Sequence, residues 1–225
     1  TCSIREHAEQ RAIGRLNDLS RHEGAILAIC GCMAQRLGES LFSLVPGASL
    51  IVGPDNYQGL PDALAGCLEG EKGSVDTKRD PGAAYGLEKV RGGRVSRFLA
   101  ITLGCGNFCS YCVVPYLRGP VRSRDEDQIL EETRMMSESG AMEVTLLGQN
   151  VMAYRRGSTD FVTLLKRILN ETDIARLRFL TTHPRDVDAE IFRLMEAQPR
   201  LCPHIHMPIQ SGSARILSLL RRGYT

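Results

Sequence analysis

Three cysteines constrain this chain more than any other feature. Cys105, Cys109 and Cys112 stand three and then two residues apart in Cys105-Gly106-Asn107-Phe108-Cys109-Ser110-Tyr111-Cys112. They follow directly on the β-rich run Arg97-Phe98-Leu99-Ala100-Ile101-Thr102-Leu103, so the fold must hold them in a loop at the end of a strand. Three thiolates this close can wrap one face of an iron–sulfur cube, because thiolate is the ligand such clusters take. A cube has four irons, so three ligands leave one iron open to bind a substrate or cofactor directly. Zinc knuckles usually pair a CxxC with a second CxxC or a His pair, and no second pair of that kind exists here. A disulfide framework belongs to short secreted chains, whereas this one has 225 residues.

That length allows one large or two modest domains. A hydrophobic content of 43% with 24% charged residues is that of a globular protein. No run of about 18 apolar residues occurs, which excludes a helical membrane span. The net charge of +2 is too small to indicate nucleic acid by itself, so any basic footprint must be local. Eight cysteines, three of them clustered, suit an intracellular metal protein. The chain starts at Thr1-Cys2 and stops at Arg221-Arg222-Gly223-Tyr224-Thr225; it is expected to be a fragment cut at both ends.

Strands and helices alternate along the chain. Ser3-Ile4-Arg5-Glu6 has the form of a capping box, and Ile4, Ala8, Ala12, Leu16 and Leu19 continue it as an amphipathic helix over about 4–20. Cys2 stands at the mouth of that helix, where partial positive charge favours thiolate. A buried strand over 25–30, a helix over 35–45, a strand over 49–53 and a helix over 60–68 predict a parallel α/β layer across 1–70. Residues 71–93 are rich in Gly, Lys, Arg, Asp and Glu, and form a linker. Alternation resumes over 94–225 with strands 95–103, 142–147, 176–181 and 204–208, and helices 126–138, 160–170, 187–197 and 213–222. Four βα units in succession begin a βα barrel, whose chemistry lies at the C-terminal ends of its strands. Cys105, Gly148-Gln149-Asn150, Thr182-His183-Pro184 and Pro208-Ile209-Gln210-Ser211-Gly212 all fall at such ends.

Gly148 allows close backbone approach, and Gln149 and Asn150 offer amide groups to a bound cofactor. Gln210 and Ser211 could meet its ribose hydroxyls or amino-acid moiety; for each, a polar loop residue bonded to its own backbone is an equal alternative. Arg118, Arg122 and Arg124 could hold phosphates, with Arg185, Arg221 and Arg222 extending the patch. A solvated basic face with Asp125 and Glu126 as partners is the other reading. His183, His204 and His206 fit core or supporting positions, and Cys30, Cys67 and Cys202 fit small buried thiols.

The string from Cys105 through Val113-Val114-Pro115-Tyr116-Leu117-Arg118-Gly119-Pro120-Val121-Arg122-Ser123-Arg124 resembles the core of the radical S-adenosylmethionine (radical SAM) methylthiotransferases. Thr1-Cys2-Ser3-Ile4-Arg5-Glu6 and Gly31-Cys32-Met33-Ala34-Gln35 resemble that family's cysteine-bearing N-terminal domain. The resemblance implies two 4Fe–4S clusters. One is held by Cys105, Cys109 and Cys112 with SAM on its open iron. The other, auxiliary cluster is held by Cys2, Cys32 and a third cysteine expected upstream of Thr1. Leu146-Leu147-Gly148-Gln149-Asn150-Val151, Thr182-His183-Pro184-Arg185, His206-Met207-Pro208-Ile209-Gln210-Ser211-Gly212 and Arg221-Arg222-Gly223-Tyr224-Thr225 are most similar to the branch that acts on tRNA. It adds a methylthio group to C2 of N6-isopentenyladenosine beside the anticodon. The implied mechanism is one-electron cleavage of SAM, hydrogen abstraction from C2, and sulfur from the auxiliary cluster.

The resemblance also implies tRNA and an electron donor such as flavodoxin or ferredoxin as partners, a monomer, and a cytoplasmic location. The rest of the barrel and an RNA-contacting TRAM domain would lie beyond Thr225. Sister enzymes acting on threonylcarbamoyl-adenosine or on a ribosomal-protein aspartate are alternatives within the family. A non-catalytic electron-transfer iron–sulfur protein is the alternative from another class.

Overall fold

A computed structural model describes residues 3, 6–80, 82 and 95–225. The chain divides into two compact units, Thr1–Gly86 with Tyr116–Arg118, and Leu87–Pro115 with Gly119–Thr225. Among the described residues no helix is long and apolar enough to cross a membrane.

The first unit is built on strands β1 (Ala28–Cys30), β2 (Leu50–Val52) and β3 (Ser74–Asp76), parallel and in that order. β2 is buried along its whole length, as a parallel strand covered on both faces must be. Its side chains alternate between two layers. Ile51 packs with Ile29, Met33, Leu41 and Val45, under Ala12, Ile13, Leu16 and Leu19 of helix α1 (Glu6–Leu19). Leu50 and Val52 face Cys67, Leu60, Ala63 and Leu64. The capping box expected at Ser3 includes Ile4 and Arg5, which lie outside the described residues. The helix expected over 35–45 is two helices, α2 (Cys32–Leu37) and α3 (Ser40–Leu44). Gly38, at φ +50°, ends α2 between them. Helix α4 (Leu60–Leu68) follows. β3 lies within the stretch expected to be linker: Val75 alone supplies an apolar contact to the core, and an edge strand is held mainly through backbone bonds to β2.

The second unit places β4 (Ser96–Ala100) and β5 (Thr102–Leu103) ahead of helix α5 (Val114–Arg118), whose last three residues group with the first unit. Then come β6 (Arg122–Ser123), helix α6 (Glu126–Glu138), β7 (Glu143–Leu147), β8 (Arg155–Arg156), β9 (Thr159–Asp160), helix α7 (Phe161–Glu171) and β10 (Arg176–Phe179). Helices α8 (Glu190–Ala197) and α9 (Ala214–Leu219) complete it. The main sheet is parallel, ordered β10-β7-β4, while β5 pairs antiparallel with β6, and β8 with β9. In α7, Phe161, Leu164, Leu165, Ile168 and Leu169 recur at helical spacing and are all buried in the core. Each such side chain contributes roughly 2 kcal/mol by leaving water. Asp125 and Asp160 cap α6 and α7, accepting from Gln128 N–H at 3.3 Å and Thr163 N–H at 2.8 Å.

The strand expected over 204–208 does not form. Leu201 makes one parallel bridge to Leu177 in β10, and Cys202 N–H still donates to Leu177 O at 2.9 Å. Pro203 then has no N–H to give, and His204 N–H turns back to Cys202 O at 2.8 Å, closing a tight turn. The ladder stops there. His204 and His206 are consequently exposed.

Candidate metal centre

The loop carrying the three cysteines leaves β5 through Gly104. Its φ is +75°, and a Cβ there would stand 2.1 Å from Pro120 O and 2.5 Å from Gly119 O, so only glycine can make the turn. Gly104 N–H donates to Gln149 Oε1 at 2.7 Å, and Cys105 N–H to Gly119 O at 2.9 Å. Cys112 N–H closes a turn on Cys109 O at 3.0 Å. Cys105 and Cys109 are buried and Cys112 half-buried, all three as free thiols. Asn107 N–H points at Cys105 Sγ, 3.4 Å away. Burial pushes the Cys105 thiol up, Asn107 opposes it, and the negative charge of Cys112 and Cys109 raises it further.

Deprotonated together, three partly desolvated sulfurs would repel one another and call for a cationic group among them. Among the described residues no three His, Cys, Asp or Glu converge on a single ion. A cube meets each thiolate through a different iron, so its ligands need not share one centre. Three thiols carried on one loop are a donor set that fits a 4Fe–4S cluster.

Asp186 with its neighbour Arg185, and Arg222, brace this loop. Asp186 accepts from Asn107 Nδ2 at 3.3 Å and from Asn150 Nδ2, and pairs with Arg185 Nε at 3.3 Å. Arg185 in turn donates to Asn107 Oδ1. Burial works to raise the Asp186 carboxyl, but Asn107, Asn150 and Arg185 hold it below the usual carboxylate range. Arg222 donates to Cys109 Sγ at 3.4 Å, Tyr111 OH at 3.2 Å, Tyr224 OH at 3.2 Å and Pro208 O at 2.7 Å. Between the two sits His183, whose Nδ1 accepts from Arg185 N–H at 3.3 Å and whose ring meets Tyr224 edge-on. Its Nε2 therefore carries the proton, buried with no partner among the described residues. Burial and the Arg222 charge lower the imidazole pKa to about 4. It is neutral at physiological pH.

Residues 99–225, more than half of the chain, match the family described as the Radical SAM superfamily. The chain belongs to that superfamily. Residues 1–53 match a second family, described as uncharacterized protein family UPF0004. The chain is similar to curated relatives that carry the name tRNA-2-methylthio-N(6)-dimethylallyladenosine synthase. The protein of Syntrophus aciditrophicus is 43% identical over all of this chain and 51% of its own length. Those of Dictyoglomus thermophilum and Geobacter sulfurreducens are each 41% identical over all of this chain, and over 53% and 52% of their own lengths. The chain thus spans about half the length of these relatives.

Membership in the radical SAM superfamily implies SAM and a 4Fe–4S cluster, and gives the strand-end residues their context. Gly148 lets the chain pass Thr102: a Cβ on it would meet Thr102 Oγ1 at 2.0 Å. Gln149 and Asn150, expected to face the cofactor, are tied through Gly104 and Asp186 to the cysteine loop and its brace. Gln210 is exposed with φ +65°, and Ser211 Oγ accepts from Ser213 N–H at 3.1 Å. Their segment reaches the centre through the carbonyls of Pro208 and Ile209, held by Arg222 and Tyr224.

The arginines separate into different roles. Arg124, expected in the basic patch, has a side chain 8% exposed and paired with Glu132, and it donates to Ala100 O at 2.9 Å. Arg222, expected to extend the same patch, is buried against Cys109. Arg122 lies half-buried in β6. Arg118 Nε donates to Cys32 Sγ at 3.2 Å, where Cys32 opens α2 just past β1. Cys2 lies outside the described residues. Of the remaining thiols expected to be buried, Cys67 is, whereas Cys30 and Cys202 are half-buried. Asn107, Asp186, Arg222 and Tyr224 were given no role at the metal centre by sequence reasoning. The His183-Pro184-Arg185-Asp186 and Arg221-Arg222-Gly223-Tyr224-Thr225 strings were the available signals.

Proposed function

We propose that this protein is a radical SAM methylthiotransferase that adds a methylthio group to C2 of N6-isopentenyladenosine beside the anticodon of tRNA. The observation that carries this reading is identity of 41–43% across the whole chain to relatives named for that modification. In it Cys105, Cys109 and Cys112 hold the cluster that binds SAM, and Gly148, Gln149, Asn150, Gln210 and Ser211 lie along the SAM site. Cys2 and Cys32 belong to a second, auxiliary cluster, toward which Arg118 offers a charge-assisted donor. Arg118 and Arg122 meet tRNA phosphates. A flavodoxin or ferredoxin supplies electrons to a cytoplasmic monomer.

When bound, the cofactors supply one-electron cleavage, sulfur and methyl groups. The chain's own residues hold and shield. Gly104 and Gln149 shape the cysteine loop. Asp186 ties it to the strand ends through Asn107 and Asn150. Neutral His183 keeps an Nε2–H donor available without adding charge. An anticodon-loop base can be splayed from its stack and read in a pocket, which suits a site at strand ends.

The test is nucleoside analysis of tRNA from a strain lacking the gene. The methylthio nucleoside should return with the full-length gene, and the Cys109→Ala form should leave only the isopentenyl precursor. Loss of methylthio from threonylcarbamoyl-adenosine instead, or full rescue by Cys109→Ala, would overturn the assignment.

A further inference from the structure

Arg222 is 4% exposed, and a charge so far from water must be paired. Four of its five N–H groups are used, on Cys109 Sγ, Tyr111 OH, Tyr224 OH and Pro208 O. Its guanidinium also lies 5.4 Å from the centre of the Tyr224 ring. None of these partners is a carboxylate. Phenols are neutral near pH 7, so the Cys109 sulfur is the partner able to carry a full negative charge. The backbone holds the pairing in place: Arg222 N–H donates to Leu217 O at 3.0 Å, and Ser110 N–H to Leu220 O at 3.1 Å. These bonds dock the turn after α9 on the cysteine loop. Arg221, in the left-handed region at φ +55°, is exposed to solvent.

We propose that Arg222 is the fixed counter-charge of the Cys109 thiolate. It favours the more reduced, more negative state of the cluster that Cys105, Cys109 and Cys112 hold. The proposal rests on the reading that these cysteines carry a 4Fe–4S cluster. Hydrogen bonds to cluster sulfurs and net local charge are what a protein uses to set such potentials. One electron enters the cluster and adds one negative charge, and a cation 3.4 Å from a ligand sulfur lowers the free energy of that state. Arg222 is a positioning and tuning residue that need not touch substrate.

The experiment is a mediated redox titration of the full-length, anaerobically reconstituted protein, with reduced viologen as one-electron donor and the cluster followed by electron paramagnetic resonance. Arg222→Gln should keep its cluster but hold about tenfold less of it reduced at a given poise, a displacement of about 59 mV toward negative potential for one electron. Arg222→Lys, which keeps the charge, should recover most of that. An unchanged potential in Arg222→Gln, or equal losses in both variants, would overturn the proposal. If Arg222→Gln takes up no cluster while Arg222→Lys does, the charge requirement stands. If neither does so in a folded chain, Arg222 only shapes the loop and the proposal fails. A wild-type protein without iron and sulfide would sink the cluster reading itself, a separate outcome.

Discussion

Asp186 joins more of the site than any cysteine does. It receives Asn107 from the metal loop, Asn150 from the end of β7, and Arg185 beside it. Asp186→Asn keeps the shape but replaces an acceptor with a donor facing other donors, and should cost about 1–3 kcal/mol in urea unfolding. Its carboxyl is held low in the folded state, so its contribution is present above the ordinary carboxyl range and lost as pH falls through the lowered value. His183 works with the same sign. Its folded pKa of about 4 lies below the ordinary 6.5. The unfolded chain therefore binds the extra proton between those values, and stability falls as pH drops from about 6.5 to about 4. His183→Phe, which keeps a ring against Tyr224, should flatten the unfolding midpoint across that window. A profile as steep as that of the wild type would assign the acid sensitivity elsewhere.

At the level of elements, α6 is fastened to the sheet by one buried ion pair. Arg124 and Glu132 are each 8% exposed. Arg124 also reaches Ala100 O at the end of β4, and its own carbonyl accepts from the buried Tyr154 OH at 2.9 Å. Removing one partner strands the other charge: Glu132→Ala should destabilise the chain by about 3–5 kcal/mol in chemical denaturation. Pairing Arg124→Met with Glu132→Leu should recover most of the loss, because an apolar pair of similar volume carries no desolvation cost. If the double variant were as unstable as the single one, the bond to Ala100 rather than the ion pair would be what holds α6.

On the scale of the whole molecule, two units each hold cysteines at the C-terminal end of a parallel sheet, Cys32 after β1 and Cys105 after the β4–β5 run. This is the edge at which α/β folds place their ligands. With Arg124 occupied inside the second unit, the proposed contact with tRNA phosphates rests on Arg118 and Arg122. Converting both to Ala in the full-length protein should weaken tRNA binding and reduce the slope of log affinity against log salt by roughly one unit per lost contact. Cleavage of SAM in the absence of tRNA should persist. A slope equal to that of the wild type would return both arginines to solvated faces.

What the amino-acid order determined by itself was local. The cysteine spacing and the apolar stripe of α1 at Ala12, Leu16 and Leu19 depend on residues a turn or a strand apart, and each is legible as a pattern. The alternation of strands and helices announced the parallel α/β layers for the same reason. Breaks in the pattern were harder to see. Gly38 splitting α2 from α3, and Pro203 ending the ladder at Leu201, act through one backbone angle or one missing donor. The fate of the charges was decided only by tertiary structure. Arg122, Arg124 and Arg222 look alike in the sequence, yet one lies in a two-residue strand, one is buried on Glu132 and one on Cys109. Residues 113 positions apart meet in that last pair. No local periodicity encodes such a meeting, because the cost of burying a guanidinium is met by whatever partner the fold brings to it.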